Sequence, residues 1–183
     1  MLFRLRQPHP IEAEIPRLRR FALALTRDRA AADDLVQDCL ARALAAWATR
    51  READALHAWL FAILHNLWRS RLRRELNRPD RFGFDDMDDE PTASGGQWEA
   101  LQLRDLEAAL ALLPEAQRAL LLLVAVEGLS YEQAARVQDI PVGTVMSRLT
   151  RARERLRNLM DGQPPHATDD RHGGRPVHLR RVK

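Results

Sequence analysis

The chain has 183 residues, 45% of them apolar and only 5% aromatic, enough to bury the core of one domain or of two small ones. Its single cysteine, Cys39, excludes an internal disulfide framework and fits a reducing cytoplasm. No apolar run approaches the length of a membrane span and the N-terminus lacks the apolar centre of a signal peptide, so a soluble cytoplasmic protein without membrane insertion is expected.

The net charge is only +3, and Lys183 is the sole lysine among 29 basic residues. Where the arginines sit therefore matters more than their sum. Residues 1–14 read as a basic leader without periodicity, expected to be mobile. From Pro16 onward Leu18, Phe21, Ala22 and Leu25 recur at helical spacing, and Thr26 with Asp28 marks the stop. A second helix, about Arg29 to Ala48, has two unlike faces. Leu35, Val36, Cys39, Leu40, Ala43 and Trp47 share one side, whereas Asp33, Asp34, Gln37 and Asp38 crowd the other. Acids near a helix start gain from its dipole, which accounts for many such clusters; the other reading is a docking face for a basic partner.

After a break at Ala48 to His57, a long helix runs from about Asp54 to Arg74. Leu56, Trp59, Leu60, Ile63 and Leu67 form its core stripe, Phe61, Leu64, Trp68 and Leu72 a second one, and His65, Asn66, Arg69 and Arg73 a polar quarter. Arg69, Arg71, Arg73, Arg74 and Arg78 stand against the lone Glu75. That patch suits a phosphate backbone, and a helix C-terminus also favours cations. Residues 78–97 then change composition, with prolines and glycines around Asp85, Asp86, Asp88, Asp89 and Glu90, and read as a flexible interdomain linker.

Helical pattern resumes at Trp98 and continues through Leu101, Leu103, Leu106, Leu110 and Leu113. Pro114 suits the first position of the next helix, and Gly128 its left-handed stop. Ser130 with Gln133 forms a capping box for a short helix, and Gln138-Asp139-Ile140-Pro141 ends it, with Asp139 in a left-handed turn that Asp tolerates. In the helix that follows, Val145, Leu149, Ala152, Leu156 and Leu159 fall on one side, and Thr144, Ser147, Arg148, Arg151 and Arg155 on the other. This is the layout of a helix-turn-helix, whose second helix enters the major groove; an amphipathic helix with a solvated charged face is the alternative. Residues 161–183 read as a disordered tail. His166, His172 and His178 lack compact ligand spacing, so no metal site is expected. No nucleophile-base pair or phosphate-binding glycine loop is present, and neither an enzyme nor a cofactor is expected.

The segments Asp33-Asp34-Leu35-Val36-Gln37-Asp38, Ala58-Trp59-Leu60-Phe61, Asn66-Leu67 and Arg71-Leu72-Arg73-Arg74 are followed in order by Leu113-Pro114, Glu127-Gly128-Leu129-Ser130-Tyr131-Glu132, Pro141-Val142-Gly143-Thr144-Val145, Ser147-Arg148-Leu149 and Arg151-Ala152-Arg153-Glu154-Arg155-Leu156. Together they resemble an extracytoplasmic-function (group IV) sigma factor of the sigma-70 family over about Pro16 to Leu159. The resemblance implies an all-α protein of two small helical domains: a region 2-like domain at 15–77, the flexible acidic linker, and a four-helix region 4-like domain with a helix-turn-helix at 98–160. It implies that Asp33, Asp34, Gln37 and Asp38 dock on the β′ clamp helices of bacterial core RNA polymerase. The Thr49 to His57 loop, with Asn66, Arg69, Arg71, Arg73 and Arg74, would bind and open the −10 element of promoter DNA. Thr144, Ser147, Arg148, Thr150, Arg151 and Arg155 would face the −35 element, Arg148 and Arg155 as phosphate contacts, while Met146 departs from the basic residue frequent there. An anti-sigma factor is an expected partner, and the free protein is expected to be a monomer. The acidic linker either stays solvated or lies in the RNA path of the polymerase. Two other readings are a stand-alone helix-turn-helix regulator and a sigma-like decoy for an anti-sigma protein.

Overall fold

Among the described residues the helical periodicity is realised as seven α-helices. The computed structural model describes residues 9–50, 55–76 and 97–161, among which there is no strand. The first domain holds α1 (Ile15–Thr26), α2 (Arg29–Ala45) and α3 (Leu56–Leu76). The second holds α4 (Gln97–Ala111), α5 (Glu115–Leu121), α6 (Tyr131–Gln138) and α7 (Val142–Met160). The protein is thus all-α with two helical domains. Residues 1–8 of the leader, 51–54 of the loop, 77–96 with the acidic linker, and 162–183 with His166, His172 and His178 lie outside the described residues.

A tight turn sets α1 against α2. Arg27 takes a left-handed φ of 57° and its N–H bonds Leu23 O, while the Asp28 carboxylate accepts from Ala31 N at 2.6 Å and caps α2. The apolar faces then meet: Leu18, Phe21 and Leu25 of α1, Leu35, Val36 and Cys39 of α2, and Leu60, Phe61 and Leu64 of α3 are buried together. Phe21 and Phe61 meet edge to face with centroids 5.0 Å apart, the geometry that their ring quadrupoles favour.

Part of the stretch 1–14, expected to be mobile throughout, takes up regular structure. Pro10–Glu14 forms a 3₁₀ turn whose Ile11 enters the core. His9 caps that turn, accepting from Ile11 N through Nδ1, and its ring sits 4.3 Å from that of Trp47. At its far end α2 stops at Ala45 and gives way to a 3₁₀ turn, Trp47–Thr49.

In the second domain Pro114 is the N-cap rather than the first helical residue. From Leu122 to Val126 the helix widens into a π turn, closed by Glu127 N–H on Leu122 O at 3.0 Å. Gly128 follows with φ +71°, which lets Leu129 N–H reach Leu123 O at 3.0 Å. The Ser130 capping box forms as the sequence predicts, with Ser130 Oγ accepting from Gln133 N and Gln133 Oε1 from Ser130 N. Asp139 takes the left-handed turn at φ 55°.

The domains share a core. Leu120 and Leu121 of α5 pack inside their own domain with Val145 and Leu149. Ala119, Leu122, Leu123, Leu129 and Val137 instead join the core of the first domain, with α6 packed on α3. Each fully buried leucine there contributes roughly 2 kcal/mol. The apolar stretch Ala119 to Leu123 is explained by this placement, since a helix buried on both sides needs no polar face; Val126, 52% exposed, lies beyond the contact.

Candidate docking and nucleic-acid interfaces

On α2 the residues between the buried positions turn outward. Asp34, Gln37 and Asp38 are exposed and Asp33 is half-buried. Two of the acids already have partners. Arg19 Nε lies 3.3 Å from Asp33 Oδ1, and Arg71 Nη2 lies 2.5 Å from Asp38 Oδ2. Arg71 also reaches Ala31 O at 3.4 Å, so it runs from α3 along α2 rather than out into solvent.

The other basic residues of α3 divide in two. Asn66, Arg73 and Arg74 are exposed. Arg69 is half-buried and its Nη1 donates to Gln138 O at the end of α6, at 3.4 Å. The polar quarter expected for this helix is corrected at His65, which is 2% exposed beneath the second domain. Burial pushes its pKa down to about 4, helped by the nearby Arg69 charge and opposed by a hydrogen bond to the Val137 backbone. At neutral pH the ring is therefore uncharged, and its 3.9 Å approach to Glu115 Oε1 is not an ion pair. Cys39 is also buried, donates to Leu60 O, and has its thiol pKa pushed up to about 12 by burial, which makes it an inert core residue.

On α7 the split read from the sequence is observed. Val145, Leu149 and Ala152 are buried, while Ser147, Thr150 and Arg151 are exposed and Thr144 and Arg148 half-buried. Three of these donate to their own helix: Ser147 Oγ to Thr144 O, Thr150 Oγ1 to Met146 O, and Arg151 Nε to Ser147 O. Met146, 51% exposed, stands on the same outward side. Arg155 is half-buried, with its Nε shielded from solvent. The Ser130 hydroxyl bonds Glu132 and holds its carboxyl below the usual carboxylate range.

Sequence reasoning missed the ionic seam between the domains. Glu127 is 1% exposed. Arg17 meets its Oε2 at 3.0 Å and its backbone O at 2.6 Å, and Arg20 meets Oε1 at 3.3 Å. Nearby Arg118 donates to Leu25 O at 3.3 Å and to Ala111 O at 3.5 Å; burial lowers its pKa against the opposing pull of Glu115. The apolar run just before Glu127 was the only sequence signal for this seam. Among the described residues no cluster of His, Cys, Asp or Glu has the makings of a metal site, and no helix is long and apolar enough to cross a membrane.

Comparison with known proteins agrees with this geometry. Residues 11–65 match the family model described as the Sigma2 domain of PhyR, and residues 103–156 that of Sigma-70, region 4. The chain is 41% identical over 165 residues to the ECF RNA polymerase sigma factor EcfG of Rhodopseudomonas palustris, covering 87% of this chain and 89% of that one. It is 33% identical over 136 residues to the ECF RNA polymerase sigma-E factor of Escherichia coli K12, covering 68% and 71%. Among solved structures, the sigma factor RpoE in complex with the anti-sigma factor NepR from Bartonella quintana superposes with a TM-score of 0.73 at 36% identity, over 82% of this chain and 94% of that one. CnrH in complex with the cytosolic domain of CnrY gives 0.62 at 25% identity, over 84% and 86%. With a region 2 domain leading into a region 4 helix-turn-helix, and relatives of this closeness along most of its length, the chain belongs to the extracytoplasmic-function sigma factors of RNA polymerase.

Proposed function

We propose that this sigma factor grips core RNA polymerase through the outward face of α2, with Asp34, Gln37 and Asp38 at its centre and Asp33 at its edge, on the β′ clamp helices. The second domain then selects the −35 element through α7. Ser147, Thr150 and Arg151 face the bases, Thr144 and Arg148 lie at the groove edge, and Arg155 is the outlying phosphate contact. Asn66, Arg69, Arg73 and Arg74 hold the −10 strand by its phosphates. Opening there needs no hydrolysis, because capture of an unstacked base and its backbone offsets the cost of unpairing. Sigma factors as a family are not enzymes, and the chemistry is the polymerase's.

One observation carries the reading: carboxylates are exposed on α2 and arginines on α7, each backed by a buried apolar stripe. A stand-alone regulator has no use for the acidic face, and a decoy has no use for the arginine face. An anti-sigma protein is proposed as a further partner, in keeping with the similar sigma factors solved with one, and the chain is proposed to act in the cytoplasm as a monomer when free. Run-off transcription from genomic fragments with purified core polymerase tests the whole. Promoter-specific transcripts are expected only when this protein is added, and their absence with active core enzyme would remove the assignment.

A further inference from the structure

We infer that in the free protein the second domain is an internal competitor for the nucleic-acid face of the first, held shut by Glu127; this rests on the assignment of the α3 face to the −10 strand. The competition centres on Arg69. Its guanidinium donates to Gln138 O, the carbonyl end of α6, where a helix gathers partial negative charge. A phosphate would approach the same guanidinium, and the α6 terminus stands in its way. His65, one turn earlier on α3, is sealed beneath the same element.

The latch follows from the backbone. The π turn at Leu122–Val126 delivers Glu127 into the seam, where its carboxylate is almost wholly out of water. A buried carboxylate is tolerable only while its partners stay in place, and both partners, Arg17 and Arg20, belong to the other domain. They are themselves 33% and 57% exposed, so they rehydrate readily once the domains part. Closure thus joins an apolar contact to an ionic clamp that fails when either side loses its partner.

The test uses the full chain with spin labels on Ala41→Cys and Arg157→Cys, both exposed positions; the native Cys39 is buried and stays unlabelled. Interdomain distance is measured by pulsed electron resonance, and affinity for a single-stranded −10 oligonucleotide by fluorescence anisotropy. The parent should give one short distance. Glu127→Gln should lengthen and broaden it and bind the oligonucleotide several-fold tighter. Arg17→Glu with Arg20→Glu should lengthen it from the other side of the seam, and adding Glu127→Arg to that pair should restore the short distance. Unchanged distances in both opened variants overturn the latch. Lengthened distances in Glu127→Gln with parent-like oligonucleotide affinity overturn the competition. Lengthened distances with no oligonucleotide bound by any variant remove the −10 assignment itself, and the competition with it.

Discussion

Arg71 of α3 holds Asp38 of α2, with Nη2 at 2.5 Å from Oδ2. One of the carboxylates proposed to grip the polymerase is therefore engaged at home, while Asp34, one turn away, is exposed. The pair lies at the surface, 23% and 55% exposed, where such bridges contribute up to about 1 kcal/mol. The two acids should accordingly answer differently to reversal. Asp34→Arg should lower affinity for core polymerase by on the order of tenfold or more while leaving the urea midpoint unchanged. Asp38→Arg should do the same and also lose stability, because it faces Arg71 with like charge. Undiminished binding by Asp34→Arg would move the docking face elsewhere.

The same bridge separates Arg71 from its neighbours. A strut and a phosphate contact differ in their salt signature, since only the phosphate contact releases a counterion. Arg73→Ala should flatten the slope of log affinity against log salt for single-stranded DNA by roughly 0.7. Arg71→Ala should leave that slope alone and cost instead about 1 kcal/mol of stability. Equal slope changes in the two variants would return Arg71 to the DNA-contacting set.

On α7 the chemistry of the exposed residues predicts what is read. Arg151→Ala should weaken discrimination at one position of the upstream element by about 1–3 kcal/mol if the guanidinium spans a guanine edge. A loss equal on all sequences would reassign it to phosphate. Met146 offers a large apolar tip, and the Thr150 hydroxyl beside it is turned back onto Met146 O. Together they favour the methyl group of a thymine. Replacing thymine by deoxyuridine through the upstream element should therefore weaken the parent protein at one position and leave Met146→Ala indifferent there. If every such replacement is neutral for the parent, Met146 contacts no thymine.

Much of the fold was legible because local signals agreed with the tertiary outcome. Ser130 with Gln133, Asp139 and Gly128 each specify a backbone conformation by themselves, and the stripes of α1, α2 and α7 each face a single core. Legibility failed where a residue serves two domains at once. His65 falls on the polar side of α3 when that helix is considered alone, yet α6 covers it. Glu127 reads as an ordinary acid before a glycine, and only its distant partners Arg17 and Arg20 give it a role. Arg71 shares helix spacing with Arg74, but its direction is set by Asp38, a contact that no periodicity encodes. The run Ala119 to Val126 did hold the missing information: its buried stretch Ala119 to Leu123 calls for two walls, and only one lies within the second domain.

His65 supplies a prediction about acidity. Its pKa falls from an ordinary 6.5 to about 4 in the folded chain, so between those values the unfolded chain takes up a proton that the folded chain does not. Stability is then undiminished at neutral pH and declines as pH drops through this window, by roughly 3 kcal/mol in all from this one ring. The groups around it pull both ways: Arg69 disfavours the imidazolium, whereas Glu115 and the Val137 backbone favour it. Urea midpoints compared at pH 7 and pH 5 isolate the effect when His65→Gln is run beside the parent, since carboxylates that titrate in the same range are common to both. The parent should lose more stability on acidification than the variant, and matching losses would mean that the ring is already solvated at the seam.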